Sequence, residues 1–150
     1  GQVVIDSAHG EDMRRSRAAG VNMIPTTTGA AKAISLVLPK LEGKLHGQSV
    51  RVPTPDVSMV DLNVVVSKST SKEEISALFK SYAQGTMLGI LEVDERYRVS
   101  QDFLGSSYSA TVADDLIQVI DGNLIKIMAW YDNEWGYSNR LIEMALYISQ

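Results

Sequence analysis

Between residues 57 and 66 the chain alternates. Ser58, Val60, Leu62, Val64 and Val66 make a more apolar set than Val57, Met59, Asp61, Asn63 and Val65, so the segment is predicted to be a strand with its even-numbered face inward. Just beyond it the period lengthens from two residues to 3.6. Thr70 to Glu73 and Ser71 to Glu74 both have capping-box spacing, Ile75, Leu78, Phe79 and Tyr82 follow at i, i+3, i+4 and i+7, and Gly85 stands where a helix would stop. A helix is predicted there. Leu116 to Ile120 and Leu124 to Trp130 flank Asp121-Gly122-Asn123, a hairpin signal. Met87 to Val93 and Tyr108 to Val112 read as two further strands.

The same reading runs outward to both ends. Gln2 to Gly20 has little periodicity and a dense charge cluster, so it is predicted to be a long surface loop, of the kind that binds something or covers a partner. Val21 to Ile24 reads as a strand ended by Pro25. The Ala- and Leu-rich stretch Thr28 to Leu38, preceded by hydroxyl residues able to cap it, reads as a helix, and Val50 to Val52 as a strand. A last amphipathic helix is predicted from about Ser138 to Ile148, with Leu141, Ile142, Ala145 and Ile148 on one face. Strands and helices do not alternate strictly, so the expected class is α+β, with a mostly antiparallel or mixed sheet and helices packed on one face.

Composition narrows the function. In 150 residues, 14 Lys and Arg stand against 18 Asp and Glu, a net charge of −4, which lacks the basic footprint of a nucleic-acid binder. No apolar run approaches the roughly 20 residues a membrane-spanning helix needs, and the first twenty residues carry charges where a signal peptide would be apolar, so no membrane partner is expected. The absence of cysteine excludes disulfides and any thiol nucleophile, and fits a cytoplasmic setting. With two histidines in polar loop contexts, His9 and His46, no metal site is expected. No two glycines stand two residues apart, so a G-x-G-x-x-G dinucleotide fingerprint is missing. Gly1 in place of Met suggests a fragment of a larger protein.

Two constellations could carry chemistry. Thr28 and Gly29 open a helix, where backbone N–H groups and the positive dipole end suit an anion, and Arg15 and Arg51 could grip phosphate oxygens. A plain helix cap is the competing reading. Arg51 is unusual because it enters a strand between Val50 and Val52, where a charge needs a partner. The Thr28-Gly29 turn and Arg51 are expected near each other on one face. The second constellation is Trp130 to Ser138, with two tryptophans, two tyrosines and Asn133, able to wall a planar ligand and hydrogen-bond a carboxamide; aromatic packing with a helix cap is the alternative.

Pro25 to Ala33, Arg51 to Pro55 with Val60-Asp61-Leu62, and Trp130 to Glu134 with Gly136-Tyr137-Ser138 strongly resemble, in the same order and at similar spacing, the phosphorylating glyceraldehyde-3-phosphate dehydrogenase family. The resemblance covers residues 1–150 and only the later part of that family's catalytic domain. The N-terminal NAD-binding Rossmann domain and the segment bearing the catalytic Cys and His are not in it. It implies an NAD- or NADP-dependent parent enzyme of glycolysis that turns glyceraldehyde 3-phosphate and inorganic phosphate into an acyl phosphate, as a cytoplasmic homotetramer. Residue by residue, it implies that Thr28 and Gly29 hold the inorganic phosphate, that Arg51 binds the substrate's phosphate with Arg15 contributing, that Asn133 meets the nicotinamide carboxamide, and that Tyr137 lies close to that ring.

This chain departs from the family in several places. Asp56 stands where the family commonly has Asn, which bears on the hydrogen bonding of that turn, and Ser7-Ala8-His9-Gly10 is not the usual loop wording, so cofactor preference is not read from it. The family's hydride transfer needs a thiohemiacetal, so this chain alone is expected to be inactive, to carry no catalytic residue of its own and to bind no cofactor tightly. The competing readings are a fragment of an erythrose-4-phosphate dehydrogenase and a non-catalytic oligomerisation or adhesion module.

Overall fold

The structure is a computed structural model and describes residues 2–8 and 10–150. It divides into two compact units, Gly1–Pro55 and Asp56–Gln150.

In the first unit the opening segment is the irregular loop its charge pattern predicts, folded back on itself. Asp6 accepts hydrogen bonds from the Ala18 N–H at 2.8 Å and the Arg17 Nε at 3.2 Å, Asp12 accepts from the N–H groups of Arg14 and Arg15, and Ser7 N–H donates to the Ser16 carbonyl. His9 lies outside the described residues. The predicted strand over Val21 to Ile24 is displaced: Ala19–Val21 is a single 3-10 turn, and β1 runs Ile24–Thr27 with Pro25 inside it. Pro25 is tolerated because β1 pairs with one strand only, β2 (Gln48–Arg51), and leaves its other edge unpaired. Between them α1, Ala30–Val37, is shorter than expected, with Gly29 at its N-cap and the Thr28 Oγ1 accepting from the Ala30 N–H at 3.1 Å.

The second unit is a mixed five-stranded sheet, and with the helices it makes the expected α+β class. β3 (Ser58–Val65) lies antiparallel to β7 (Leu124–Tyr131) along its whole length, from Ser58 opposite Tyr131 to Val65 opposite Leu124. On the other edge of β7, β5 (Ala110–Ala113) pairs near the end of the strand and β6 (Gln118–Ile120) near its start, while β4 (Leu91–Asp94) adds parallel to β5. The Asp121-Gly122-Asn123 hairpin between β6 and β7 forms as predicted, with φ of 51° at Asp121 and 71° at Gly122.

α2 (Lys72–Gln84) carries the second of the two capping boxes: the Ser71 Oγ accepts from the Glu74 N–H, and the Glu74 carboxylate accepts from the Ser71 N–H. Its Ile75 and Phe79 pack on the sheet core of Val112, Ile117 and Ala129. Burying a side chain such as Ile117 contributes about 2 kcal/mol.

Three expectations fail here for physical reasons. Met87 to Ile90 is not strand, because the Met87 N–H turns back to the Tyr82 carbonyl at the end of α2 and a run of tight turns follows before β4 begins. The even-numbered face of β3 is only partly covered: Val60 is 45% exposed against 43% for Met59 on the other face, since β3 is an edge strand that α2 does not reach across. The last helix, α3, spans Asn133–Ile148 and starts well before Ser138, because Asp132 caps it by accepting the Trp135 N–H at 2.8 Å. Among the described residues no helix is long and apolar enough to cross a membrane.

Candidate functional site

The β1–β2 ribbon carries the anion candidates of the first unit. Its register sets Arg51 opposite Ile24 and Gln48 opposite Thr27, so Arg51 sits at one end and Thr28 just beyond the other. Four residues of strand separate them, roughly 13 Å. One phosphate does not span that distance, so the expected proximity of the Thr28-Gly29 turn and Arg51 is not met: the two lie at opposite ends of the ribbon. At one end the helix-opening N–H groups follow Thr28 and Gly29. At the other, Arg51 is half-buried, and its Nε is shielded from solvent with no hydrogen-bond partner among the described residues. Arg15 is half-buried in the loop, its backbone fixed by Asp12 and by the Gln2 side chain.

The second unit holds the other candidates at the junction of β7 and α3. Trp130 is half-buried and packs inward: it stacks on the buried Phe103 with centroids 5.7 Å apart, and the Arg98 guanidinium lies over the Phe103 ring at 4.5 Å. Trp135 and Tyr137 are exposed, so the aromatic cluster divides between packing and open surface. Asn133 is the first residue of α3, one helical turn before Tyr137. The Asn133 Oδ1 accepts from the Ser58 Oγ at 2.7 Å, and its Nδ2 donates to the Asp56 Oδ1 at 3.4 Å. That leaves one N–H and one lone pair of an exposed amide available, the donor and acceptor a carboxamide needs.

Sequence reasoning missed Ser58 as a partner of Asn133 and Asp132 as an anchor of this corner. Asp132 is 4% exposed; its Oδ1 caps α3 and its Oδ2 accepts from the Gly105 N–H at 2.8 Å. An Asp three residues before Trp135 was a legible cap signal, whereas Ser58 and Asn133 are 75 residues apart and no local pattern links them.

The carboxylates of Asp56, Asp132 and Glu134 come within 4.8 Å of one another. Both Asp132 oxygens and the Asp56 Oδ1 already accept N–H groups, so this cluster is built around backbone and amide donors, and Glu134 complements the positive end of α3.

Behind the corner lies an ion cluster. The Arg98 Nε meets the buried Asp94 at 2.7 Å and its Nη2 meets Glu92 at 2.9 Å. Burial alone would raise the Asp94 pKa. The hydrogen bonds from the Arg98 guanidinium and from the Arg98 and Arg96 N–H groups outweigh it and hold the carboxyl below its usual value.

Residues 1–133 match the model for the glyceraldehyde 3-phosphate dehydrogenase C-terminal domain. The chain is 52% identical over 147 residues to a glyceraldehyde-3-phosphate dehydrogenase of Helicobacter pylori, covering 98% of this chain and 44% of that protein. It is 49% identical over 148 residues to the glyceraldehyde-3-phosphate dehydrogenase of Geobacillus stearothermophilus (99% and 44%), and 49% identical over 144 residues to glyceraldehyde-3-phosphate dehydrogenase 2 of a Synechocystis strain (96% and 42%). The chain therefore spans about two-fifths of the length of these relatives.

Proposed function

The chain belongs to the glyceraldehyde-3-phosphate dehydrogenase family as its C-terminal domain, and from that premise we propose that the full-length protein oxidises glyceraldehyde 3-phosphate, with inorganic phosphate and NAD or NADP, to an acyl phosphate. It works as a cytoplasmic homotetramer, and this chain supplies binding and charge neutralisation while bond making rests with residues outside it. Thr28 and Gly29 receive the inorganic phosphate at the start of α1. Arg51 receives the substrate's phosphate, with Arg15 completing the pair of anion sites.

The observation that carries this reading is Arg51. Its half-buried guanidinium has no partner for Nε among the described residues, and phosphate is an anion that a guanidinium grips through charge-assisted hydrogen bonds. The ribbon's two separate ends also suit a reaction that holds two phosphates at once.

The nicotinamide fits the other corner. Asn133 presents an unused donor and acceptor, and Tyr137, 64% exposed one turn later, offers a flat ring beside it. When bound, the nicotinamide supplies the hydride acceptor; Asn133 orients its carboxamide and Tyr137 limits its tilt. The 150-residue chain alone, with no cysteine, is inactive in this reading.

The test is a steady-state assay of the full-length protein with glyceraldehyde 3-phosphate, erythrose 4-phosphate, NAD and NADP, with and without inorganic phosphate. Phosphate-dependent cofactor reduction, with glyceraldehyde 3-phosphate preferred, is expected. Preference for erythrose 4-phosphate would reassign the substrate, and no cofactor reduction with either would overturn the reading.

A further inference from the structure

We propose that Ser58, together with Asp56, is a positioning residue that fixes the rotation of the Asn133 amide and so sets how the nicotinamide carboxamide is received. This deepens the function proposed above and rests on Asn133 meeting that carboxamide.

An exposed asparagine amide turns over a broad range about its last torsion, and either end can face a ligand. Asn133 does not have that freedom. Asp56 is a carboxylate, able only to accept, so the NH2 end of Asn133 must face it. Ser58 donates its hydroxyl hydrogen to the opposite end, Oδ1, at 2.7 Å. Two contacts on opposite ends of a planar group leave it one orientation, with one N–H and one lone pair directed outward.

Both partners are themselves held. Ser58 is the first residue of β3 and lies opposite Tyr131, the last residue of β7, so the full-length β3–β7 ladder delivers its hydroxyl two residues before Asn133. Asp56 is fixed by its own neighbour: its Oδ1 also accepts the Val57 N–H at 2.7 Å. Val57 has φ of 70°, in a region a β-branched residue rarely visits, and its side chain is buried. Strain of this kind persists only where the surroundings over-determine it and clusters at functional sites. Here the strained turn aims the Asp56 carboxylate at Asn133. On the other side Asp132, with both oxygens occupied, holds the start of α3. A pre-oriented amide spares the cofactor the ordering cost that a free rotor would impose on binding.

The experiment uses the full-length protein and its Ser58→Ala, Ser58→Thr and Asn133→Ala variants, reading the NAD dissociation constant by quenching of tryptophan fluorescence alongside separate KM values. An analogue with an acetyl group in place of the carboxamide, hence without its N–H donors, is titrated in parallel. Ser58→Ala is expected to weaken NAD about fivefold, the loss of one neutral hydrogen bond. Its preference for NAD over the acetyl analogue is expected to shrink, while KM for the aldehyde phosphate stays unchanged and Ser58→Thr restores the parental values. If Asn133→Ala weakens NAD and Ser58→Ala does not, the positioning role is overturned while the Asn133 contact stands. If Asn133→Ala leaves NAD affinity unchanged, both fall. If Ser58→Ala raises the aldehyde phosphate KM as much as the NAD constant and lowers the unfolding temperature, Ser58 is only structural and the inference is wrong.

Discussion

At Gly136 a single missing methyl decides how closely α3 approaches the segment that leads into β5. A Cβ there would stand 2.9 Å from the Tyr108 carbonyl oxygen, a backbone atom that cannot rotate away. Gly136→Ala is therefore expected to cost about 1 to 3 kcal/mol in denaturant unfolding, through overpacking. Because Asn133 and Tyr137 flank it on α3, cofactor affinity should fall with stability. The buried Asp94 supports a second prediction. Its carboxyl is held below the usual range in the folded state, so its contribution is fully present above roughly pH 4 and is lost as pH falls through its lowered folded value. Unfolding curves between pH 3 and 7 should show stability falling at the acid end, with a shallower acid slope in Asp94→Asn. That variant should also lose about 3 kcal/mol at pH 7, because Arg98 is left without its closest carboxylate. At this scale, what could be read from the sequence depended on distance along the chain. Arg51 is legible as a charge between two valines, whereas the Asp56–Asn133 and Ser58–Asn133 bonds join residues 77 and 75 positions apart and exist only once β3 and β7 pair.

Among the elements, α2 was legible from end to end because its signals are local: a capping box, an apolar stripe and a terminating glycine within one short stretch. Ser71→Ala should cost about 1 kcal/mol in thermal or denaturant unfolding and leave the other elements intact; no change would mean that Thr70, which also donates to Glu74, substitutes as the cap. The start of α3 is less legible, because its cap, Asp132, sits inside the aromatic run while the apolar stripe becomes periodic only near Ser138. β4 begins later than its apolar pattern suggests: Met87, Leu88 and Ile90 are apolar enough for a strand, but the end of α2 takes the hydrogen bond of Met87 first, and Leu88 and Ile90 remain in tight turns. Patterning reports which residues seek burial, and the competition for hydrogen bonds decides whether they reach it as strand or turn.

On the scale of the whole chain, much apolar surface stays uncovered. Leu141, Ile142 and Ile148 on α3 are 52%, 62% and 74% exposed, and β3 offers Met59 and Val60 on its two faces. Surfaces of this kind drive association, so the 150-residue chain alone should form dimers or larger species in light scattering; a clean monomer at high concentration would contradict this. In the function proposed here, this domain receives phosphate through Arg51 and nicotinamide through Asn133. The most direct measurement is the pair of KM values for Arg51→Ala in the full-length protein. KM for glyceraldehyde 3-phosphate is expected to rise at least tenfold, the loss of a charge-assisted hydrogen bond of about 1.5 kcal/mol or more, while KM for NAD barely moves. An equal rise in both, or none in the aldehyde phosphate, would contradict it.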